Sequence, residues 1–147
     1  MRIAVGADHA GFTLKEHVKA TLEAAGHEVV DVGTTSTESV DYPQYAAAAA
    51  RLVAAGEAER GVIACGSGVG VAMVANKVHG IRAVDGHDPD EAEMSRRHND
   101  ANVLTLSGSR LDAAQADAIV ERFLATGFDG GRHARRVEQI NELDTPG

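Results

Sequence analysis

Several residue types are scarce in this chain of 147 residues, and each shortage excludes a class of protein. A single cysteine, Cys65, excludes internal disulfide bonds and any metal site built from several thiolates. We therefore expect a reducing compartment, the cytoplasm. The sequence contains no run of about eighteen apolar residues, so it predicts no membrane span. The polar residues that follow Val5 leave no room for a secretory signal.

Aromatic and basic residues are also few. Tryptophan is absent, and three Phe and two Tyr are the only aromatic side chains, so the core must be built from aliphatic residues. The 14 Lys and Arg are outnumbered by 22 Asp and Glu, which leaves a net charge of −8. Such a balance argues against nucleic-acid binding, because that affinity comes from cationic side chains on phosphates. Any anion site must therefore be local.

The apolar residues that are present fall into short runs separated by longer segments of helical periodicity. This alternation predicts parallel strands joined by helical crossovers, and thus an α/β fold: one doubly wound, Rossmann-like domain over residues 1–147 with a five-stranded parallel sheet flanked by helices. The predicted strands are Ile3–Gly6, Glu28–Val32, Gly61–Cys65, Ile81–Asp85 and Asn102–Leu106. The predicted helices are Phe12–Ala25, Asp41–Ala55, one from Gly68–Gly70 to about Lys77, one opening at Asp88 with Glu91 completing a capping box, Leu111–Thr126 and Arg132–Leu143.

Open parallel sheets bind ligands beyond the carboxyl ends of their strands, and the loop after the third strand is the most informative there. It reads Cys65-Gly66-Ser67-Gly68-Val69-Gly70. Alternate glycines allow a ligand close to the backbone, and unpaired N–H groups of the following helix form an anion hole. The same N–H groups favour a thiolate at Cys65 if its sulfur points at them. A buried, inert cysteine is the alternative.

The loop differs from two known nucleotide-binding motifs. It lacks the spacing of a triphosphate-binding P-loop. A dinucleotide fingerprint is closer, with Asp85 at a suitable distance for a ribose hydroxyl, but the glycines follow G-x-G-x-G instead of G-x-G-x-x-G.

Polar residues follow other strands as well. Asp8 and His9 come after the first strand, where they act either as a helix cap and an exposed histidine or as a ligand-binding pair. Asp85, His87 and Asp88 suggest metal ligands, but Asp88 suits a helix cap and no second histidine stands at a metal spacing.

Basic residues concentrate in the last third of the chain. Seven of the fourteen cations lie at or beyond Arg96. The run Arg96-Arg97-His98-Asn99 by itself fits a solvated helix end. Arg132 and Arg136 are four residues apart and share a helix face, an arrangement that suits a phosphate monoester.

The combined motifs resemble those of the ribose-5-phosphate isomerase B group within the ribose/galactose phosphate isomerase family. The resemblance covers nearly the whole chain. It rests, in order, on Gly6-Ala7-Asp8-His9-Ala10-Gly11-Phe12, Asp41-Tyr42-Pro43, Cys65-Gly66-Ser67-Gly68-Val69-Gly70, Asn76-Lys77, Gly80-Ile81-Arg82-Ala83, Arg97-His98-Asn99-Asp100, Gly108-Ser109-Arg110 and Gly130-Gly131-Arg132-His133.

The resemblance implies an aldose–ketose isomerase, with D-ribose 5-phosphate and D-ribulose 5-phosphate as the expected pair. In this family the residue matching Cys65 moves a proton between C2 and C1 through a cis-enediolate, and the residue matching His98 opens the sugar ring. Relatives that use a glutamate instead carry it at the position of Val71, so this chain resembles the cysteine-based branch. Neither a cofactor nor a metal is expected. The implied substrate-binding residues are Asp8, His9, Gly66, Ser67, Gly68, Val69, Gly70, Asn99, Arg110, Arg132 and Arg136.

The resemblance also implies a shared active site. A second subunit completes each site in the family, so we expect a homodimer or a dimer of dimers, with the C-terminal helix at the interface. His98 and Asn99 are then expected to reach the partner's Cys65.

Two stretches depart from the family pattern: the acidic segment Asp85–Glu91, and Ser107, which looks like an extra residue before Gly108. Isomerisation of another phosphosugar (allose 6-phosphate, galactose 6-phosphate or a tetrulose 4-phosphate) therefore stays open. A non-catalytic sugar-phosphate or nucleotide-binding module is the further alternative.

Overall fold

Five short strands form one parallel sheet in the computed structural model, which describes residues 1–144. The strands lie side by side in the order β2-β1-β3-β5-β4. The prediction of five parallel strands is confirmed, although the fourth begins two residues late because the N–H of Arg82 is bound by the Asn102 side chain at 2.8 Å. The strands are β1 (Arg2–Ala7), β2 (Glu28–Asp31), β3 (Arg60–Cys65), β4 (Ala83–Asp85) and β5 (Val103–Ser107).

Six helices follow the strands, each within about two residues of its predicted bounds. None of these helices, within residues 1–144, is long and apolar enough to cross a bilayer. They are α1 (Phe12–Ala24), α2 (Tyr42–Ala54), α3 (Val69–Ala75), α4 (Pro89–Asn99), α5 (Ala113–Ala125) and α6 (Arg132–Glu142).

The helix caps were predicted only in part. Asp88 caps α4 by accepting the N–H of Glu91 at 2.8 Å, as predicted. The capping box expected there is incomplete, because the Glu91 carboxylate lies 3.3 Å from the His87 ring instead. A complete capping box stands at the start of α5, where Asp112 and Gln115 exchange both hydrogen bonds.

Aliphatic residues on both faces of the sheet hold the helices. One core cluster joins β1, β3 and β5 to α1, α4 and α5, and a second joins them to α2 and α3. Because side chains alternate along a strand, Leu104 and Leu106 enter the first cluster while Thr105 and Ser107 point to the other face.

The strand order creates a switch point between β1 and β3. The chain leaves β1 through α1 towards β2, and it leaves β3 through α3 towards the opposite edge. The loops that follow β1 and β3 therefore diverge and leave a crevice at the carboxyl edge of the sheet. They pack closely, since a Cβ on Gly11 would lie 2.3 Å from the carbonyl of Ala64.

Candidate active site

The only cysteine of the chain stands at the end of β3, in the crevice. Cys65 is buried, and its Sγ accepts the N–H of Gly68 at 3.2 Å. The sulfur therefore points at one loop N–H, that of Gly68. The helix α3 that follows has only seven residues, so individual loop N–H groups matter more than a helix dipole.

Hydrogen bonds from β5 and from the turn after it hold the glycine loop in place. Hydroxyls of Ser107 and Ser109 each donate to the carbonyl of Gly66 at 2.7 Å. The hydroxyl of Thr105 lies 2.7 Å from the carbonyl of Gly68. Gly68 adopts φ +78°, a conformation that glycine reaches without strain.

The residues after β1 lie at the same edge. Asp8 is buried and accepts the N–H of Gly11 at 2.9 Å with one oxygen, while its other oxygen has no hydrogen-bond partner within residues 1–144. His9 accepts the N–H of Val40 at 3.1 Å through Nδ1. The neutral ring of His9 therefore carries its proton on Nε2 and can donate it to a ligand oxygen.

Sequence reasoning missed the position of Tyr42. The sequence places it at a helix start and in the motif Asp41-Tyr42-Pro43 but gives it no role in the site, whereas its ring, from the first residue of α2, lies over the glycine loop. A Cβ on Gly70 would meet this ring at 2.7 Å. In the sequence, only Gly70 signals this contact, because the Tyr42 ring leaves no room for a side chain there.

The carboxylate of Asp85 is engaged inside the protein. One oxygen lies 3.1 Å from the Thr105 hydroxyl, and the other lies 3.1 Å from His87 Nε2. The dinucleotide interpretation needed this carboxylate for a ribose, so the structure disfavours it. Desolvation lowers the pKa of His87, but the charge of Glu91 and the hydrogen bond to Asp85 outweigh it and raise the pKa overall.

Four further predicted residues lie at the opposite edge of the sheet: His98, Asn99, Arg132 and Arg136. His98 and Asn99 end α4, and the chain then enters β5 from the amino edge. Arg132 and Arg136 lie at the same edge, because α6 begins where the His133 ring stacks on His98 with centroids 4.2 Å apart. Arg82 holds this region together by donating to the carbonyl of Asn99 at 3.2 Å.

This second cluster favours an anion over a metal ion. His98, Asp129 and His133 bring ligand atoms within 4.8 Å of one another. However, Asp129 is already paired with Arg97 at 3.2 Å, and a cation would meet the charges of the neighbouring arginines. Desolvation, followed by the charges of His98, Arg132 and Arg136, holds the pKa of His133 below its usual value.

The two groups of residues cannot meet within one chain. Cys65 pairs with Ser107 at the carboxyl end of β5, whereas His98 precedes the first residue of that strand. Five residues of strand separate the two edges by roughly 13 Å. Arg110 follows β5 and stays on the side of Cys65, so it is also distant from Arg132 and Arg136.

Comparisons with known proteins are consistent along the whole chain. A family model described as Ribose/Galactose Isomerase matches residues 3–140. Ribose-5-phosphate isomerase B of Escherichia coli K12 is 46% identical over 143 residues, which cover 97% of this chain and 96% of that protein. A probable ribose-5-phosphate isomerase B of Mycoplasma pneumoniae is 41% identical and covers 94% of this chain and 91% of its own.

Solved structures agree with these relatives. The ribose 5-phosphate isomerase of Thermotoga maritima superposes with a TM-score of 0.94 at 48% identity, covering 96% of this chain and 97% of that one. Ribose-5-phosphate isomerase B of Clostridium thermocellum gives a TM-score of 0.96 at 45% identity, with 97% of each chain covered.

Proposed function

The chain belongs to the ribose/galactose isomerase family, and from that premise we propose that it interconverts D-ribose 5-phosphate and D-ribulose 5-phosphate. It is an aldose–ketose isomerase, an enzyme that oxidises one carbon of its substrate and reduces the neighbour. The observation that carries the mechanism is the thiol of Cys65, whose Sγ lies 3.2 Å from the N–H of Gly68 at the ligand edge of the sheet.

The proposed reaction moves one proton between neighbouring carbons. The Cys65 thiolate takes the proton from C2 of the open-chain aldose, the C1–C2 double bond forms, and the carbonyl oxygen becomes negative. Loop N–H groups stabilise this enediolate, which exists only during the reaction. The thiol then returns the proton to C1, while the hydroxyl proton on O2 passes to O1 and leaves the ketone at C2. Atoms and charge balance without a cofactor.

Sugar binding is assigned to both edges of the sheet. The second oxygen of Asp8 accepts a sugar hydroxyl, and Asn99 binds further substrate oxygens. His98 opens the ring, since a histidine can exchange protons near neutral pH. His9, Arg110, Arg132 and Arg136 hold the phosphate, and Arg132 and Arg136 suit this because neither forms a salt bridge within residues 1–144.

A homodimer follows from this assignment. One chain carries the thiol and the ring-opening histidine about 13 Å apart or more, whereas a sugar phosphate must contact both. We assign the second half of each site to a partner copy, with α6 at the interface. The helix supports this, because it buries only Val137 and leaves Ile140 and Leu143 44% and 86% exposed. A catalytic thiol also suits the reducing cytoplasm.

The first test follows the reaction in deuterated water by NMR with D-ribose 5-phosphate. Wild-type protein is expected to form the ketose, with deuterium entering at C1 to the extent that the thiol exchanges with solvent. Cys65→Ala is expected to lower kcat by about 1000-fold, within the range a positioned base contributes. It should still bind the substrate, as measured by calorimetry, because the phosphate ligands are intact.

Three outcomes contradict the proposal in whole or in part. A fully active Cys65→Ala enzyme would exclude the thiol as the base. A wild-type chain that leaves ribose 5-phosphate unchanged but turns over a tetrose or hexose phosphate would transfer the same mechanism to another substrate. If none of these sugars is isomerised, the enzymatic function is wrong and the alternative of a non-catalytic binding module is favoured.

A further inference from the structure

Two hydroxyl groups stand beneath the glycine loop where packing alone calls for aliphatic side chains. Thr105 and Ser107 lie two residues apart on β5 and are 0% and 2% exposed. A buried hydroxyl costs free energy unless it is hydrogen-bonded. Both are bonded to the loop, Thr105 to the carbonyl of Gly68 and Ser107 to the carbonyl of Gly66, each at 2.7 Å.

These bonds set the direction of two peptide groups. In a trans peptide the carbonyl and the following N–H point in opposite directions. Drawing the carbonyl of Gly66 towards β5 therefore turns the N–H of Ser67 away from the sheet, and drawing that of Gly68 does the same for Val69. The Ser67 N–H has no acceptor within residues 1–144, while that of Val69 meets the Ser67 hydroxyl at 3.1 Å.

The carboxylate of Asp85 lies against both Thr105 and the glycine loop. Asp85 Oδ1 lies 3.1 Å from the Thr105 hydroxyl, and a Cβ on Gly68 would lie only 2.2 Å from that oxygen. The other Asp85 oxygen is held by His87 at 3.1 Å. The single hydroxyl proton of Thr105 goes to the nearer acceptor, the Gly68 carbonyl at 2.7 Å, and Asp85 Oδ1 packs beside both residues.

We propose that Thr105 and Ser107 are positioning residues for the isomerisation: Ser107 directs the Ser67 N–H at the enediolate, and Thr105 directs the Val69 N–H at the Ser67 hydroxyl, which it holds at 3.1 Å beside the site. Neither hydroxyl touches the substrate. The inference rests on the proposed function, because an enediolate must form for the N–H groups to stabilise it. Donors aligned before the reaction lower the barrier more than donors that must reorient during it.

The test compares Thr105→Val, which removes only the hydroxyl, with Thr105→Ser, which keeps it. We expect Thr105→Val to lower kcat by about 10- to 100-fold with KM changed by less than about threefold, since loop donors act in the transition state. Thr105→Ser should restore most of the rate. Ser107→Ala should act in the same direction but less strongly, because Ser109 also donates to the Gly66 carbonyl through its hydroxyl at 2.7 Å and its N–H at 3.1 Å. Combining it with Thr105→Val should give a non-additive loss because both hydroxyls hold one loop.

The matched control is Thr126→Val. The Thr126 hydroxyl also donates to a carbonyl, that of Arg122 at 2.6 Å, but it ends α5, away from the loop. Because Thr126 is only half-buried, a smaller loss of stability than in Thr105→Val and an unchanged kcat are expected for this variant. NMR of labelled protein adds a readout that needs no turnover: the Gly68 carbonyl and the Ser67 and Val69 amides should shift in Thr105→Val and not in Thr126→Val.

Failure of the positioning role and failure of the proposed function would give different results. If wild-type protein is active and Thr105→Val keeps its kcat within about twofold, the positioning role is wrong and the function stands. Equal losses in Thr105→Val and Thr126→Val would mean a stability effect and would also overturn it. If wild-type protein isomerises no sugar phosphate, the proposed function falls, and unmoved loop resonances would further show that the hydroxyls do not orient the loop.

Discussion

At the scale of single residues, the three evenly spaced glycines of the loop after β3 meet different structural requirements. Gly68 needs a positive φ of 78°, and Gly70 must admit the ring of Tyr42. Gly66 needs neither, since a Cβ there would meet only Ala10 at 3.6 Å. The alternation of glycines predicted a loop close to a ligand, but which glycine is required depends on side chains from β4 and α2.

Gly68→Ala is predicted to damage catalysis more than stability. The positive φ alone costs about 1–2 kcal/mol for any side chain. The added Cβ must also displace Asp85 Oδ1, which lies 2.2 Å from its position, and this turns the peptide whose N–H meets Cys65. We expect kcat to fall by about 100-fold or more in steady-state assays.

Gly56→Ala is the control for this prediction. Gly56 has a similar φ of +75°, and a Cβ there would meet nothing within 4 Å. It should lose only the stability that the positive φ costs, about 1–2 kcal/mol in urea titrations, and keep full activity. Equal kcat values for the two variants would show that the contact with Asp85 is unimportant.

At the scale of elements, a buried lysine joins α1 to the end of β2. Lys15 is only 3% exposed, and its Nζ donates to Asp31 at 2.8 Å, to Glu16 at 2.7 Å and to the carbonyl of Thr34 at 3.1 Å. Helical periodicity predicts an apolar face of Leu14, Val18, Leu22 and Ala25; the first three are buried, whereas Ala25 ends the helix and is exposed. It could not predict Lys15, because burial of a lysine requires a carboxylate from another element.

This contact predicts a loss of stability in acid. Burial raises the pKa of Asp31, but hydrogen bonds from Lys15, Gly33 and Lys19 outweigh it, so the pKa lies below its usual value near 3.8. A lowered pKa gives stability that is complete above the unfolded value and is lost as the pH falls through the folded one. Urea titrations should therefore show a decrease below about pH 4 that Asp31→Asn lacks.

Asp31→Asn should also be less stable at pH 7, by about 1–3 kcal/mol, because the buried ammonium of Lys15 loses a charged partner. Glu28→Gln is the matched change, since its pair with Arg2 at 3.5 Å is exposed. Such a pair contributes about 0–1 kcal/mol. If Asp31→Asn and Glu28→Gln lost the same stability, the buried contact between Lys15 and Asp31 would contribute no more than the exposed pair.

At the scale of the whole molecule, the proposed site is divided between two edges of the sheet. One half contains the stacked rings of His98 and His133 and the ion pair between Arg97 and Asp129. The turn of Asp8 and the loop of Cys65 form the other. The order of motifs along the chain does not reveal this division, because strands and helices run in opposite directions between the edges.

Mixing inactive variants tests the shared site directly. Cys65→Ala and His98→Gln should each be inactive alone, since every site lacks one group. In a mixed dimer one site lacks both groups and the other is intact, so refolding equal amounts together should restore about one quarter of wild-type activity in a two-fold dimer. Cys65→Ala mixed with Cys65→Ser is the control and should restore none.

Sites contained within one chain would give no recovery in the first mixture. Recovery that disappears on dilution would report the dissociation of the dimer, because an intact site exists only while two different subunits are paired.

The sequence by itself determined the sheet, the helices and the chemistry of the loop after β3. Periodicity, caps and glycine spacing are local properties, and the backbone obeys them within a few residues. Only the tertiary structure decided the strand order β2-β1-β3-β5-β4, the hydroxyls under the loop and the opposite placement of Cys65 and His98. These depend on contacts between residues far apart in the chain, and no local pattern encodes which distant partner a side chain meets.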